Sequence, residues 1–200
     1  METEINSKKR ALINTAMRLF YRKGIHAVGI NEVLKVSGIA KKTLYHHFAS
    51  KDDLILACLH YRDKLFIRWL KQQLDAAPPG KAAVLALFDA LDNWFNNRSE
   101  ELGEFNGCFF INASAEYSQA ESLIYAACQQ HKAHVRALIK SHVDCFASDE
   151  NKSNQITDNL CILKEGAITT AKVQAKLSAA LDSKALAALM LAQPFRQTGL

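Results

Sequence analysis

The stretch SGIAKKTLYHHFASKDDL, residues 37–54, decides how the rest of the chain is read. Ser37 and Gly38 interrupt one helical pattern, and a second, short one follows at once. Within it Leu44 and Phe48 stand four residues apart, on one face of a helix. The outward face carries Lys41, Lys42, Thr43, Tyr45 and His46. Gly38 can take the positive φ that a sharp turn requires, and Ile39 is placed to drop into the core behind it. Two short helices joined by a tight turn containing glycine make a helix-turn-helix. Ser50 then caps a longer helix, with Asp53 completing an S-x-x-D capping box.

Upstream, residues 1–7 are polar. From Lys8 a helical stripe of Leu12, Ile13, Ala16, Leu19 and Phe20 begins, and it closes at Arg22-Lys23-Gly24. A second short helix turns Ile30, Val33 and Leu34 inward. Downstream, the fourth helix is expected to run from Ser50 through Ile55, Cys58, Leu65 and Trp69 to about Leu74. A turn at AAPPGK and a fifth helix with Val84, Leu87, Phe88, Leu91 and Phe95 follow. RSEELGEFNG reads as a loop or broken helix and CFFINASAEY as a short helix. A further helix spans about Gln119 to Phe146, and ASDENKSN is a polar loop. The last two helices cover about Gln155 to Leu177 and Ser183 to Ala192. The expected fold class is all-α, with no strand.

Charge is the second informative feature. Residues 1–53 hold ten Lys/Arg against five Asp/Glu, a net +5; residues 54–200 hold fifteen of each, a net of zero. The whole excess therefore sits beside the helix-turn-helix, the signature of a module that meets a polyanion. A major groove admits one α-helix, and lysines and hydroxyls on its outward face suit phosphates and base edges. Lys51, in the first turn of the next helix, is placed for a further phosphate contact.

The run GIHAVGINEVLKVSGIAKKTLYHHFASKDDLILACL resembles the DNA-binding domain of TetR-family transcriptional regulators. The resemblance rests on the glycine after the first helix, the Ile30/Val33 pair, Gly38-Ile39, TLYHHF and SKDDL, and covers roughly residues 8–60. It implies DNA contacts from Thr43, Tyr45, His46 and Lys51, base-facing positions for Lys41 and Lys42, and a groove-reaching side chain at Asn31. Gly29 and Ala40 depart from the pattern: each stands where a hydroxyl residue commonly caps the next helix, a loss of about 1 kcal/mol each. Residues 1–50 are then the DNA-binding domain and 51–200 a helical domain for effector binding and dimerisation.

In that family a ligand pocket lies among the middle helices. Aromatic residues concentrate between Tyr61 and Tyr125, giving apolar walls. Trp69, Cys108, Asn112, Glu116 and His134 are the candidate effector residues, and an uncharged body favours an apolar or aromatic effector over a strongly anionic one. Cys108 also opens an alternative reading, a redox- or electrophile-sensing regulator; a second alternative is a DNA-associated structural protein of the same fold without effector. The final helices are rich in Ala and Leu. Leu163, Leu177, Leu186, Leu189, Met190 and Phe195 would leave an apolar patch that the resemblance assigns to a homodimer interface.

Other chemistry finds little support. The five cysteines are odd in number, widely spaced and without C-x-x-C, so neither a disulfide framework nor a zinc knuckle is expected. Cys128/His131 and His142/Cys145 have helical i, i+3 spacing but read as packing, with no metal and no cofactor. There is no G-x-S-x-G, Gly-rich phosphate loop or H-E-x-x-H, so no enzyme is expected. No leader and no membrane-spanning run is visible, which points to a cytoplasmic regulator.

Overall fold

In a computed structural model of the chain, residues 2–192 are described, with side chains from Ser7 onward. They form nine α-helices and one short 3-10 turn, with no strand among the described residues. The helices are α1 (Glu2–Lys23), α2 (Ile30–Ser37), α3 (Lys41–His47), α4 (Lys51–Asp75), α5 (Lys81–Phe95), α6 (Phe109–Glu116), α7 (Leu123–Val143), α8 (Glu150–Val173) and α9 (Ala179–Ala192). The all-α expectation is met. No helix among the described residues is long and apolar enough to cross a membrane.

Several boundaries differ from the sequence reading: α7 runs from Leu123 to Val143 rather than from Gln119 to Phe146, α8 ends at Val173 rather than Leu177, and α9 begins at Ala179 rather than Ser183. Helix α1 begins at Glu2, six residues before the expected Lys8. Helix α8 begins at Glu150, inside the supposed polar loop. There the carboxylate of Asp149 accepts the Lys152 N–H at 2.8 Å, so a residue read as loop composition is the N-cap. The capping box at the start of α4 is present in both directions. The Asp53 N–H donates to Ser50 Oγ and the Ser50 N–H donates to Asp53 Oδ2, each at 3.1 Å.

The chain packs as two compact units. The first comprises residues 1–65 and 108–132: α1 to α3, the first part of α4, α6 and the first part of α7. Its core is built from Leu12, Ala16, Phe20, Ile25, Val28, Val33, Leu44, Phe48, Leu54 and Ile55, all buried. The stripe that made α1 amphipathic in the sequence faces α2 and α3.

The second unit comprises residues 66–107 and 133–200. Helices α5, α8 and α9 pack on one another there. An aromatic cluster fills it: the Trp69 and Trp94 rings lie 5.2 and 5.5 Å from Phe66, and Phe105 lies 5.0 Å from Trp94. On the solvent side of α8 and α9 large apolar residues stay uncovered in a single chain. Ile162 is 69% exposed, Val173 77%, Leu186 55% and Leu189 64%.

Candidate nucleic-acid interface

The helix-turn-helix forms because its local chemistry leaves little choice. Gly38 sits at φ 67°, ψ 12°, and its N–H closes α2 on the Leu34 carbonyl at 3.0 Å. A residue with a Cβ is strained at that φ. Ser37 Oγ donates to the same Leu34 carbonyl and accepts the Ile39 N–H, both at 3.3 Å, which braces the turn from the last residue of α2. Ile39 is half-buried. Helix α3 then buries Leu44 completely and Phe48 almost so, four residues apart.

Burying that face exposes the opposite one. Lys41, Lys42, Tyr45 and His46 are exposed and Thr43 is half-buried. The Lys41 ammonium lies 5.9 Å from the centroid of the Tyr45 ring, a cation–π distance that gathers the two side chains on one patch. Asn31, in the first turn of α2, is exposed as well. From α1, the Lys9 ammonium stands 5.7 Å from the Phe48 ring and adds a cation to the neighbourhood of α3. Sequence reasoning missed Lys9; the run Lys8-Lys9-Arg10 was its only signal. His47 differs from its neighbour. Desolvation, then the charges of His46 and Lys9, lower its pKa, which disfavours the charged ring.

The two missing caps are visible. Neither Gly29 before α2 nor Ala40 before α3 supplies a side-chain hydrogen bond, although Ala40 has the extended backbone of an N-cap at φ −65°, ψ 145°. Lys51 has an internal partner. Its ammonium donates to the Ile25 carbonyl at 2.7 Å and lies 5.8 Å from the Phe20 ring.

The candidate effector residues divide between the units. Cys108, Asn112 and Glu116 follow one another at intervals of four along α6, in the first unit. Cys108 caps α6 and its buried Sγ accepts from Lys132 Nζ at 3.6 Å. The Glu116 carboxylate accepts the N–H groups of Ile25 at 2.8 Å and His26 at 2.6 Å. Trp69, inside the aromatic cluster, and His134, exposed on α7, belong to the second unit.

Sequence reasoning also missed a polar group in the first unit. The buried His131 ring pairs with Asp63 at 2.7 Å and stacks on Phe110 with centroids 3.6 Å apart. Arg62, next to Asp63 in sequence, is buried 5.3 Å from the Tyr21 ring. Among the described residues no three of His, Cys, Asp or Glu come together as a metal site. Cys128 is a buried thiol pushed up to about 11 by desolvation, with Cys108 and Lys132 as smaller opposed influences.

Residues 12–58 match the family of bacterial regulatory proteins of the tetR type. A TetR-family transcriptional regulator from Streptomyces coelicolor superposes with a TM-score of 0.80 at 26% identity, over 93% of this chain and 91% of that one. The N-terminal quarter of the chain is a TetR-type DNA-binding region, and the chain shares the fold of TetR-family regulators. Among curated relatives, the uncharacterised helix-turn-helix regulator YxaF of Bacillus subtilis is 29% identical over 96 residues, 48% of this chain and 50% of YxaF. The transcriptional repressor KstR2 of Mycobacterium tuberculosis is 33% identical over 67 residues, 33% of this chain and 34% of that protein. The transcriptional activator FasR of Mycolicibacterium smegmatis is 30% identical over 92 residues, 44% of this chain and 42% of FasR. The chain thus spans half or less of the length of these curated relatives. TetR-family regulators bind DNA and are not enzymes.

Proposed function

We propose that this protein is a homodimeric TetR-family repressor of a palindromic operator, released by a small apolar or aromatic effector. The observation that carries the reading is the two-faced α3: Leu44 and Phe48 buried, Lys41, Lys42, Tyr45 and His46 exposed. Thr43, His46, Tyr45 and Lys51 hold phosphates, and Lys41, Lys42 and Asn31 face base edges. Lys51 has donors beyond the one given to Ile25, so it bridges that carbonyl and a phosphate.

Dimerisation supplies the second recognition helix. Leu177, Leu186 and Leu189 are 40%, 55% and 64% exposed, and Leu163 on α8 and Met190 on α9 are half-buried. Phe195, expected in the same patch, lies outside the described residues. An apolar face of this kind is covered by a second copy in the dimer we propose. Two copies place their α3 helices about one DNA turn apart, ~34–36 Å.

Effector binding at candidate residues of one unit, Cys108 and Asn112 in the first or Trp69 and His134 in the second, favours a state with the wrong separation. The operator must then weaken effector binding by the same factor that effector weakens operator binding. The experiment is calorimetric titration of a compound that dissociates the protein from a selected DNA duplex, with and without that duplex. Weaker binding in its presence supports the reading; equal affinities contradict it. A second reading, release by oxidants or electrophiles at Cys108, is favoured by the Lys132 ammonium at 3.6 Å from its sulfur. Release by peroxide or a quinone that Cys108→Ser abolishes would select it.

A further inference from the structure

Glu116 ends α6, yet its carboxylate is committed to the turn between α1 and α2, more than ninety positions earlier in the chain. It accepts the N–H of Ile25 at 2.8 Å and that of His26 at 2.6 Å. The His26 ring adds its Nδ1 at 3.2 Å from the same carboxylate and stacks on Tyr117, the next residue, with centroids 4.8 Å apart. The other end of α6 also reaches α1, through Phe109 edge-on to Tyr21 at 5.9 Å.

The turn is gripped from a second side. The Ile25 carbonyl accepts from Lys51 Nζ at 2.7 Å. Both backbone polar groups of Ile25 are therefore held by charged side chains of opposite sign, from two different helices. Hydrogen bonds to charged groups are the strong ones. Gly24 turns the chain at φ 89°, where a residue with a Cβ is strained, and it lies against the Glu116 carboxylate: a Cβ there would stand 3.4 Å from Oε1, ordinary contact. Ile25 and Val28 anchor the turn below with fully buried side chains. Two residues beyond Val28, α2 begins, and α3 hangs from α2 through the Gly38 turn.

We infer that Glu116 is a positioning residue for DNA binding: with Lys51 it fixes the α1–α2 turn and hence the placement of α2 and α3, without touching DNA itself. The inference rests on the DNA-binding role proposed above for α3. It makes a prediction opposite in sign to simple electrostatics. Removing a carboxylate from a cationic DNA-binding module should tighten its grip on DNA. Losing the clamp should weaken it.

The test uses the full-length protein and a fluorescein-labelled duplex that the wild type has selected from a random pool. Affinity is measured across a salt series for wild type, Glu116→Ala and Glu116→Gln, together with thermal melting and amide hydrogen exchange at Ile25 and His26. The expected result is loss of exchange protection at both amides in Glu116→Ala. Affinity of the folded protein falls about tenfold, the loss of roughly one charged hydrogen bond. The slope of affinity against salt is unchanged, because no phosphate contact is lost. Glu116→Gln, which keeps a carbonyl acceptor at the same reach, regains part of both protection and affinity. It serves alone if Glu116→Ala does not fold, and then must lie below wild type in both. Unchanged protection, or lost protection with wild-type or tighter DNA binding, overturns the inference. A wild type that selects no duplex overturns the DNA-binding reading itself, and this inference with it.

Discussion

The ammonium of Lys51 donates to the carbonyl of Ile25 at 2.7 Å and lies 5.8 Å from the Phe20 ring. One side chain thus ties the start of α4 to the turn after α1 and stands ready beside the helix-turn-helix. Lys51→Met keeps the stem and removes the ammonium. It should cost about 1 kcal/mol of stability through the lost hydrogen bond. It should also lower the log–log salt slope of DNA binding by about 0.9, the value of one phosphate contact. A slope equal to the wild type's would confine Lys51 to the turn.

Ala40 has the backbone of an N-cap and lacks the side chain for it. Ala40→Ser should let the hydroxyl accept the N–H of Lys42 or Thr43. The expected gain is about 1 kcal/mol, seen as a higher urea midpoint at unchanged m-value. Should the midpoint stay where it was, the first turn of α3 is already satisfied without a cap.

The uncovered face of α8 and α9 should be the dimer interface. Leu186 and Leu189, 55% and 64% exposed, lie three residues apart on α9. Replacing both by Glu should give monomers in sedimentation velocity at micromolar concentration with the helical circular dichroism intact. It should also remove tight binding to a two-half-site duplex, since each half-site alone is weak. A dimer that survives the double substitution places the interface elsewhere.

Much of the DNA-binding end was legible because its determinants are neighbours in the chain. Gly38, the Leu44/Phe48 spacing and the Ser50/Asp53 capping box each operate within four residues, and each appears as read. The start of α8 was not legible, because the polar composition of ASDENKSN outweighed one cap at Asp149. Glu116 was read as an effector anchor from its composition alone. Its bonds to Ile25 and His26 span ninety positions, and no periodicity encodes such a pairing. The pairing of His131 with Asp63 is hidden for the same reason; i, i+3 spacing offered Cys128 as its neighbour instead.

The central claim is that the exposed face of α3 reads base sequence. Its most direct test is selection from a random duplex pool by the wild type and by a variant carrying Lys41→Ala, Lys42→Ala and Tyr45→Ala, none of which touches the buried face. The wild type should recover a palindrome whose half-sites lie about one helical turn apart. A well-placed base contact discriminates by about 1–3 kcal/mol. The variant should therefore keep only weak, salt-sensitive binding with no shared motif. Recovery of the same palindrome by the variant would contradict the claim.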